Sequence, residues 1–355
     1  MPITLAQAQI NARDDIDHAV IDNLRRYSWL WDQIIWDDTV TPGTGGASLT
    51  YGYTLLTAAR QGQFRQINQE YTAQSASREQ RSTTLKPFGG AYTLDRILRG
   101  LGPAATNEET FQTQQLMKGA TTSLMVEIVN GDTAVNTAGF DGLDKLLTGQ
   151  ATEYTPNSGG TAYTSWAPGA IDTQEKANLQ LDILEEWLSS ITPSIVGGGD
   201  MSADAGLPGG VKAILGNTKS ITRLKALARW ANLHTSTLET FGGVQRRVER
   251  YGEWVLQDIG DNALGSAPVI PIETRDPDGV GGGGNITNLT DLYAVSFGLD
   301  AFHGASMAGK PLVAYYPPEW NTPGAVKTGE LEIGPGAMIL RNTKACGVLR
   351  NVKVA

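Results

Sequence analysis

Few of the residues that ordinarily carry out chemistry stand at spacings that would let them do so. His18, His234 and His303 fall in three different kinds of segment, none with an acidic or cysteine partner at metal-ligand spacing. Structural or surface roles account for them better than catalysis. Asp276, Asp278 and Asn285 offer hard oxygen ligands on one loop, but calcium-loop spacing and a closing glutamate are missing. An aspartate-proline-glycine turn explains them. Asp258 and Asp261 could be the paired carboxylates of a hydrolase, and a turn at a strand end explains them as well. No His-Glu-x-x-His, Cys-x-x-Cys, Gly-x-Ser-x-Gly or complete phosphate loop occurs, and the glycine-rich residues 41–48 lack a Lys-Ser/Thr ending. The expectation is a non-enzyme with no catalytic, cofactor-binding or metal site.

The single cysteine, Cys346, excludes an intrachain disulfide framework and fits a reducing compartment, where it would be a small core residue. Asn285-Ile286-Thr287 and Asn288-Leu289-Thr290 match glycosylation acceptors, which matter only to a secreted chain. The N-terminus lacks a basic start followed by an apolar stretch, and no run approaches the ~20 apolar residues of a membrane span. A soluble intracellular product with no membrane partner is expected. A net charge of −9 disfavours tight electrostatic binding of nucleic acid. Arg223, Lys225 and Arg229 on one helix read as a solvated face.

What must be positioned, then, is architecture. The 355 residues include 42 glycines and 16 prolines, so turns and long ordered loops are expected, while 40% hydrophobic residues and 8 tryptophans argue for a substantial core. Thr106 and Glu109 have capping-box spacing, and Phe111, Met117, Ala120, Leu124 and Ile128 recur at helical intervals. A helix of about 24 residues, roughly 36 Å long, is expected over 106–130. Asn130-Gly131-Asp132 stops it, and Phe140 and Leu143 should pack back against it, with Gly142 permitting a tight backbone and Asp141 capping locally.

Before that helix, residues 3–36 read as an amphipathic helical arm and 41–48 as a flexible joint. Residues 48–57, 63–71 and 78–85 are β-rich, with glutamine, arginine, serine and threonine on their exposed sides. A long two-stranded excursion with little apolar surface is marginally stable alone, so something else must hold it. After the helix, Asp172 and Glu175 form a second capping box before the stripe Ala177, Leu181, Leu184, Leu188 and Ile191. Val211–Leu215 reads as a buried strand, 222–232 as a helix, and 244–256, 286–297 and 312–316 as strands. Glu330–Ile333, a Gly-Pro-Gly turn at 334–336, Met338–Leu340 and Val348–Val354 read as a terminal hairpin.

This order of parts resembles the major capsid protein of tailed bacteriophages, an α+β chain with the Hong Kong 97-type fold. The local matches are Leu85-Lys86-Pro87-Phe88-Gly89-Gly90, Val129-Asn130-Gly131-Asp132 and Phe140-Asp141-Gly142-Leu143. The resemblance implies an N-terminal arm (1–48), an extended loop (49–92), a peripheral domain (93–150) with its spine helix at 106–130, an axial domain (151–324), and C-terminal strands (325–355) returning to the peripheral domain. It further implies self-assembly in the bacterial host cytoplasm into hexamers and pentamers of an icosahedral virion capsid. Implied partners are a separate scaffold protein, a portal, a decoration protein, and packaged double-stranded DNA contacted non-specifically. Some relatives cross-link a loop lysine to a neighbour, but residues 49–85 contain no lysine, so noncovalent stabilisation is expected. Encapsulin shells, which share the fold and enclose protein cargo, are the alternative. A hydrolase and an adhesin are more distant ones.

Overall fold

The structure, a computed structural model, describes residues 29–41, 49–58, 60–99, 108–156, 162–191, 211–230, 234–241, 244–277 and 284–355. In chain order, a short helix (Trp29–Gln33) leads into β1 (Trp36–Val40), then β2 (Thr50–Ala58), β3 (Ser77–Thr84) and β4 (Lys86–Asp95). A one-turn helix (Arg96–Arg99) precedes the long helix, Glu108–Asn130, and Leu143–Leu147 forms another short helix. Then come β5 (Glu153–Tyr154), β6 (Thr164–Ser165), a helix over Gln174–Ser190, β7 (Lys212–Gly216), and a helix over Thr218–Trp230. The strands β8 (His234–Phe241), β9 (Val244–Tyr251), β10 (Trp254–Asp258), β11 (Glu273–Arg275) and β12 (Ile286–Ser296) follow. The chain ends with β13 (Phe302–Met307), β14 (Val313–Tyr316), β15 (Val326–Leu340) and β16 (Cys346–Lys353).

These strands form three sheets among the described residues. In the five-stranded sheet β15 is the common member, antiparallel to β4, β13 and β14, while β1 joins β13 in parallel. The nine-stranded sheet runs β5-β16-β12-β7-β10-β9-β8, with β11 and β6 beside β12 and β16. The third sheet is the hairpin β2-β3 alone.

Successive side chains of a strand point to opposite faces, and both faces of the large sheet are covered. Ala213, Leu215, Tyr293, Val295 and Val348 face a core shared with the long helix and the five-stranded sheet. Their neighbours Ile214, Leu292, Ala294 and Leu349 face a second core beneath helices Gln174–Ser190 and Thr218–Trp230. Burial on both sides explains why these strands read as continuous apolar runs rather than alternating ones.

Several expectations are corrected. The arm does not stay helical to residue 36: helix ends at Gln33, and Trp36 enters a strand because its ring lies flat over Gly304 and Gly336, which have no side chains to displace it. The first 28 residues of the arm and the Thr106 cap lie outside the described residues. Residues 63–71 form no strand. A turn closes there instead, with Asn68 at φ 70° and Arg65 Nη1 donating to the carbonyls of Gln66 and Gln69 at 3.3 and 3.1 Å. The Gly-Pro-Gly segment is not a hairpin turn. Gly334 at φ 100° makes a bulge between Ile333 and Gly336, and β15 continues through it. The terminal hairpin does not form, and residues 325–355 do not return as one piece: β15 pairs with β4, whereas β16 pairs with β12 in the large sheet.

Two helix starts also shift. Thr173, not Asp172, caps the helix at Gln174, accepting the Lys176 N–H at 3.4 Å, and Asp172 pairs instead with the Lys176 ammonium at 2.8 Å. The helix expected from 222 begins at Thr218, where Asn217 Oδ1 accepts the Ser220 N–H at 2.9 Å.

Candidate assembly surfaces

The β2-β3 hairpin is joined to the body at its root. Tyr51, only 8% exposed, donates to Asp37 Oδ2 at 3.0 Å and Tyr53 reaches the Leu340 carbonyl at 3.4 Å, while the Leu85 N–H bonds the Leu49 carbonyl at 2.7 Å and closes the hairpin's own ladder. Beyond the root, every residue from 60 to 80 is exposed. The tip is nonetheless shaped. The Arg65 guanidinium sits 5.3 Å over the Tyr71 ring while bonding the turn carbonyls, and Phe64 and Ile67 stand out at 106% and 90% exposure. Fully exposed apolar side chains on an ordered tip mark an interaction surface.

The turn after the long helix has the opposite character. Gly131 and Gly142 approach so closely that a Cβ on Gly142 would lie 2.6 Å from the Glu127 carbonyl oxygen and from the Gly131 nitrogen. The Gly142 N–H bonds the Gly131 carbonyl at 2.8 Å, and Asp141 Oδ1 accepts from the N–H and hydroxyl of Thr133 at 2.9 and 2.7 Å. Phe140, Leu143 and Leu147 are buried with Leu124 and Ile128. Asn130 Nδ2 donates to the Val269 carbonyl at 2.7 Å, tying the helix end to the segment beyond β10. At the other end of the helix the N-terminal half is less covered, and Met117, expected inward, is 46% exposed.

A polar node locks this turn to the large sheet. Arg350 on β16 pairs with Asp144, with Glu153 at 2.8 Å and with Asp291 at 3.1 Å, and donates to Thr148 Oγ1 at 3.1 Å. Arg275 also pairs with Asp291, whose Oδ1 accepts the Asn351 N–H at 2.9 Å. Burial opposes the charge on Arg350, but Asp291 and Asp144 outweigh it and hold the guanidinium firmly protonated. Tyr293 donates to Asp144 Oδ1 at 2.9 Å, and burial followed by those same carboxylates raises its pKa well above the usual value. No sequence pattern announces this node, because its members are scattered from residue 144 to 351.

No family model and no curated protein sequence matches the chain. Solved structures do. The SrpI encapsulin of Synechococcus elongatus PCC 7942 aligns with a TM-score of 0.59 at 11% identity, covering 99% of this chain and 96% of that one. The capsid of a native GTA particle aligns at 0.56 and 9% identity over 95% and 94% of the two chains. That of Myoviridae phage XM1 aligns at 0.52 and 11% over 98% of each. The chain has the Hong Kong 97-type capsid fold.

Within that fold, the residues first considered for chemistry do not converge. His18 and Asp278 lie outside the described residues, as does the side chain of His234. Asp258 Oδ1 accepts the Gly260 N–H at 2.9 Å, a turn-forming role, and Asp261 lies in an isolated bridge with Pro268. No cluster suited to a metal occurs among the described residues. Cys346 is buried and its thiol is pushed up to about 12 by desolvation, which makes it a poor nucleophile. On the basic helix, Arg223 donates to the Val354 carbonyl at 3.3 Å and Lys225 pairs with Glu249, so both are engaged internally. No described helix is long and apolar enough to cross a membrane. His303 alone stands apart, fully buried beside the hairpin root.

Proposed function

We propose that this chain is the shell-building subunit of a tailed-phage head, a non-enzymatic protein that assembles into hexamers and pentamers around double-stranded DNA. The observation that carries this reading is the hairpin. From residue 60 to 80 it is exposed throughout, and its preformed tip presents Phe64 and Ile67 bare and Tyr71 with only Arg65 against its ring. Such a segment gains its missing contacts from another molecule. The hairpin carries Arg60, Arg65, Arg78 and Arg81 against Glu70 and Glu79, within a chain of net charge −9, so a second copy offers it complementary charge. Head-to-tail contacts of this kind propagate a surface, and closure depends on the angle between copies.

In this reading residues 1–48 are the arm, 49–92 the extended loop, 93–150 together with β13, β14 and β15 the peripheral domain, and the rest of 151–324 with β16 the axial domain. A scaffold protein, a portal and a decoration protein remain the partners expected of a phage head, with DNA held non-specifically at most. The shell is held noncovalently: Lys86, at the base of the loop, is engaged by the Thr137 carbonyl at 3.0 Å. Mature particles should therefore run as single chains on a denaturing gel, and a covalent ladder would contradict this.

The second reading, a nanocompartment around a protein cargo, is favoured by the alignment with the SrpI encapsulin. Electron microscopy of the expressed chain tests shell formation common to both. Particles from the native source then separate them, since double-stranded DNA inside supports the phage head and a protein cargo supports the compartment.

A further inference from the structure

His303 lies on β13 with its side chain fully buried, and neither ring nitrogen makes a well-formed hydrogen bond. The Ala301 carbonyl, which also accepts the Arg341 N–H at 3.0 Å, is the nearby backbone acceptor for the ring and favours its charged form. Directly against the imidazole stands the Tyr51 ring, edge-on, with centroids 5.9 Å apart and planes at 72°. Tyr51 is the same residue whose hydroxyl ties the hairpin root to Asp37 of β1. Among the described residues, a buried imidazole with no side-chain hydrogen-bond partner therefore underlies the contact by which the hairpin is attached.

The ionisable groups around the ring are Asp37 from β1, Tyr51 from β2 with Tyr53 beside it, Asp300 from the loop before β13, and Arg341 just after β15. Desolvation is the leading influence on His303 and lowers its pKa, Arg341 acts the same way, and Asp37 and Asp300 act against them. In the attached state the ring is thus neutral at neutral pH.

We propose that His303 is a pH-sensitive latch on the hairpin root: a proton on the ring draws the Asp37 carboxylate away from the Tyr51 hydroxyl and frees β2 from the body. The sign follows from linkage. A detached, solvated root binds a proton at about the ordinary histidine value of 6.5, whereas the attached root binds it only at lower pH. Attachment is complete above that value and weakens as pH falls, by up to about tenfold per pH unit, until the lowered native pKa is reached. The proposal concerns the single chain and stands whether or not the shell reading holds.

Hydrogen–deuterium exchange of the full-length protein from about pH 7.5 to 4.5, corrected for intrinsic exchange rates, tests it. Residues 50–55 should lose protection progressively as pH falls below about 6.5, while the helix Gln174–Ser190 keeps its protection. His303→Phe should abolish the pH dependence at the root. Should that variant fail to fold, Tyr51→Phe provides the second arm. It removes the hydroxyl's bond to Asp37 and weakens attachment at every pH, so the same protonation should bring release at higher pH. The proposal is overturned by constant root protection in the wild type, by loss of protection at the helix in parallel with the root, by unchanged pH dependence in His303→Phe, or by an onset in Tyr51→Phe that stays put or moves to lower pH.

Discussion

Between Asn130 and Leu147 nearly every polar group named above is bonded to another part of the same chain, whereas between Arg60 and Gln80 every residue is exposed. The first region is closed by two glycines in backbone contact, by buried Phe140, Leu143 and Leu147, and by the Arg350 node. The second is a turn-closed loop at the far end of the β2-β3 ladder, whose anchor points are at the other end. The contrast teaches where to look for the two halves of the function. The anchor turn fixes the long helix relative to both sheets and belongs to the stability of the subunit. On the proposed reading, the hairpin contributes little to that stability and serves contacts between copies.

Substitutions can break this division. The largest effect on the subunit is expected from Arg350→Met, which leaves the carboxylates of Asp144, Glu153 and Asp291 without their shared cation and should cost about 3–5 kcal/mol in denaturant unfolding of unassembled protein. Phe140→Ala removes a ring that is 5% exposed and should cost a similar ~3–5 kcal/mol. Unchanged folding and assembly in that variant would show that the anchor is misplaced. Gly142→Ala forces a methyl against two backbone atoms and should lose about 1–3 kcal/mol, visible as a lower melting temperature. At the small end, the double substitution Phe64→Ser with Ile67→Ser should leave subunit stability within about 0.5 kcal/mol while preventing assembly as seen by sedimentation. A large loss of stability there would erase the contrast between the two regions.

The same contrast explains what the sequence disclosed. The anchor was legible because its devices are local: the stripe Ala120, Leu124 and Ile128, the Asn130-Gly131-Asp132 stop, and Phe140 and Leu143 eight and eleven positions after Asp132 all act within one stretch of chain. The hairpin was legible from its alternation and its polar exposed faces, although its tip was not, since a turn clipped by Arg65 looks like a strand by composition. What stayed hidden depends on distant partners. Trp36 becomes strand rather than helix because Gly304 and Gly336 supply a flat seat for its ring. β15 and β16 look like a hairpin until each is seen to pair with a different sheet. Arg350 gathers carboxylates from three elements, and His303 acquires its setting only when the hairpin root closes over it.

On the proposed function, the hairpin finds its partner surface on another copy of the same chain. Cryo-electron microscopy of the purified full-length protein measures this directly. The expected result is a closed shell in which residues 50–84 of each subunit lie against a neighbour and the Phe64 and Ile67 side chains are covered. A protein that stays monomeric at high concentration with the hairpin ordered and its tip bare would contradict it.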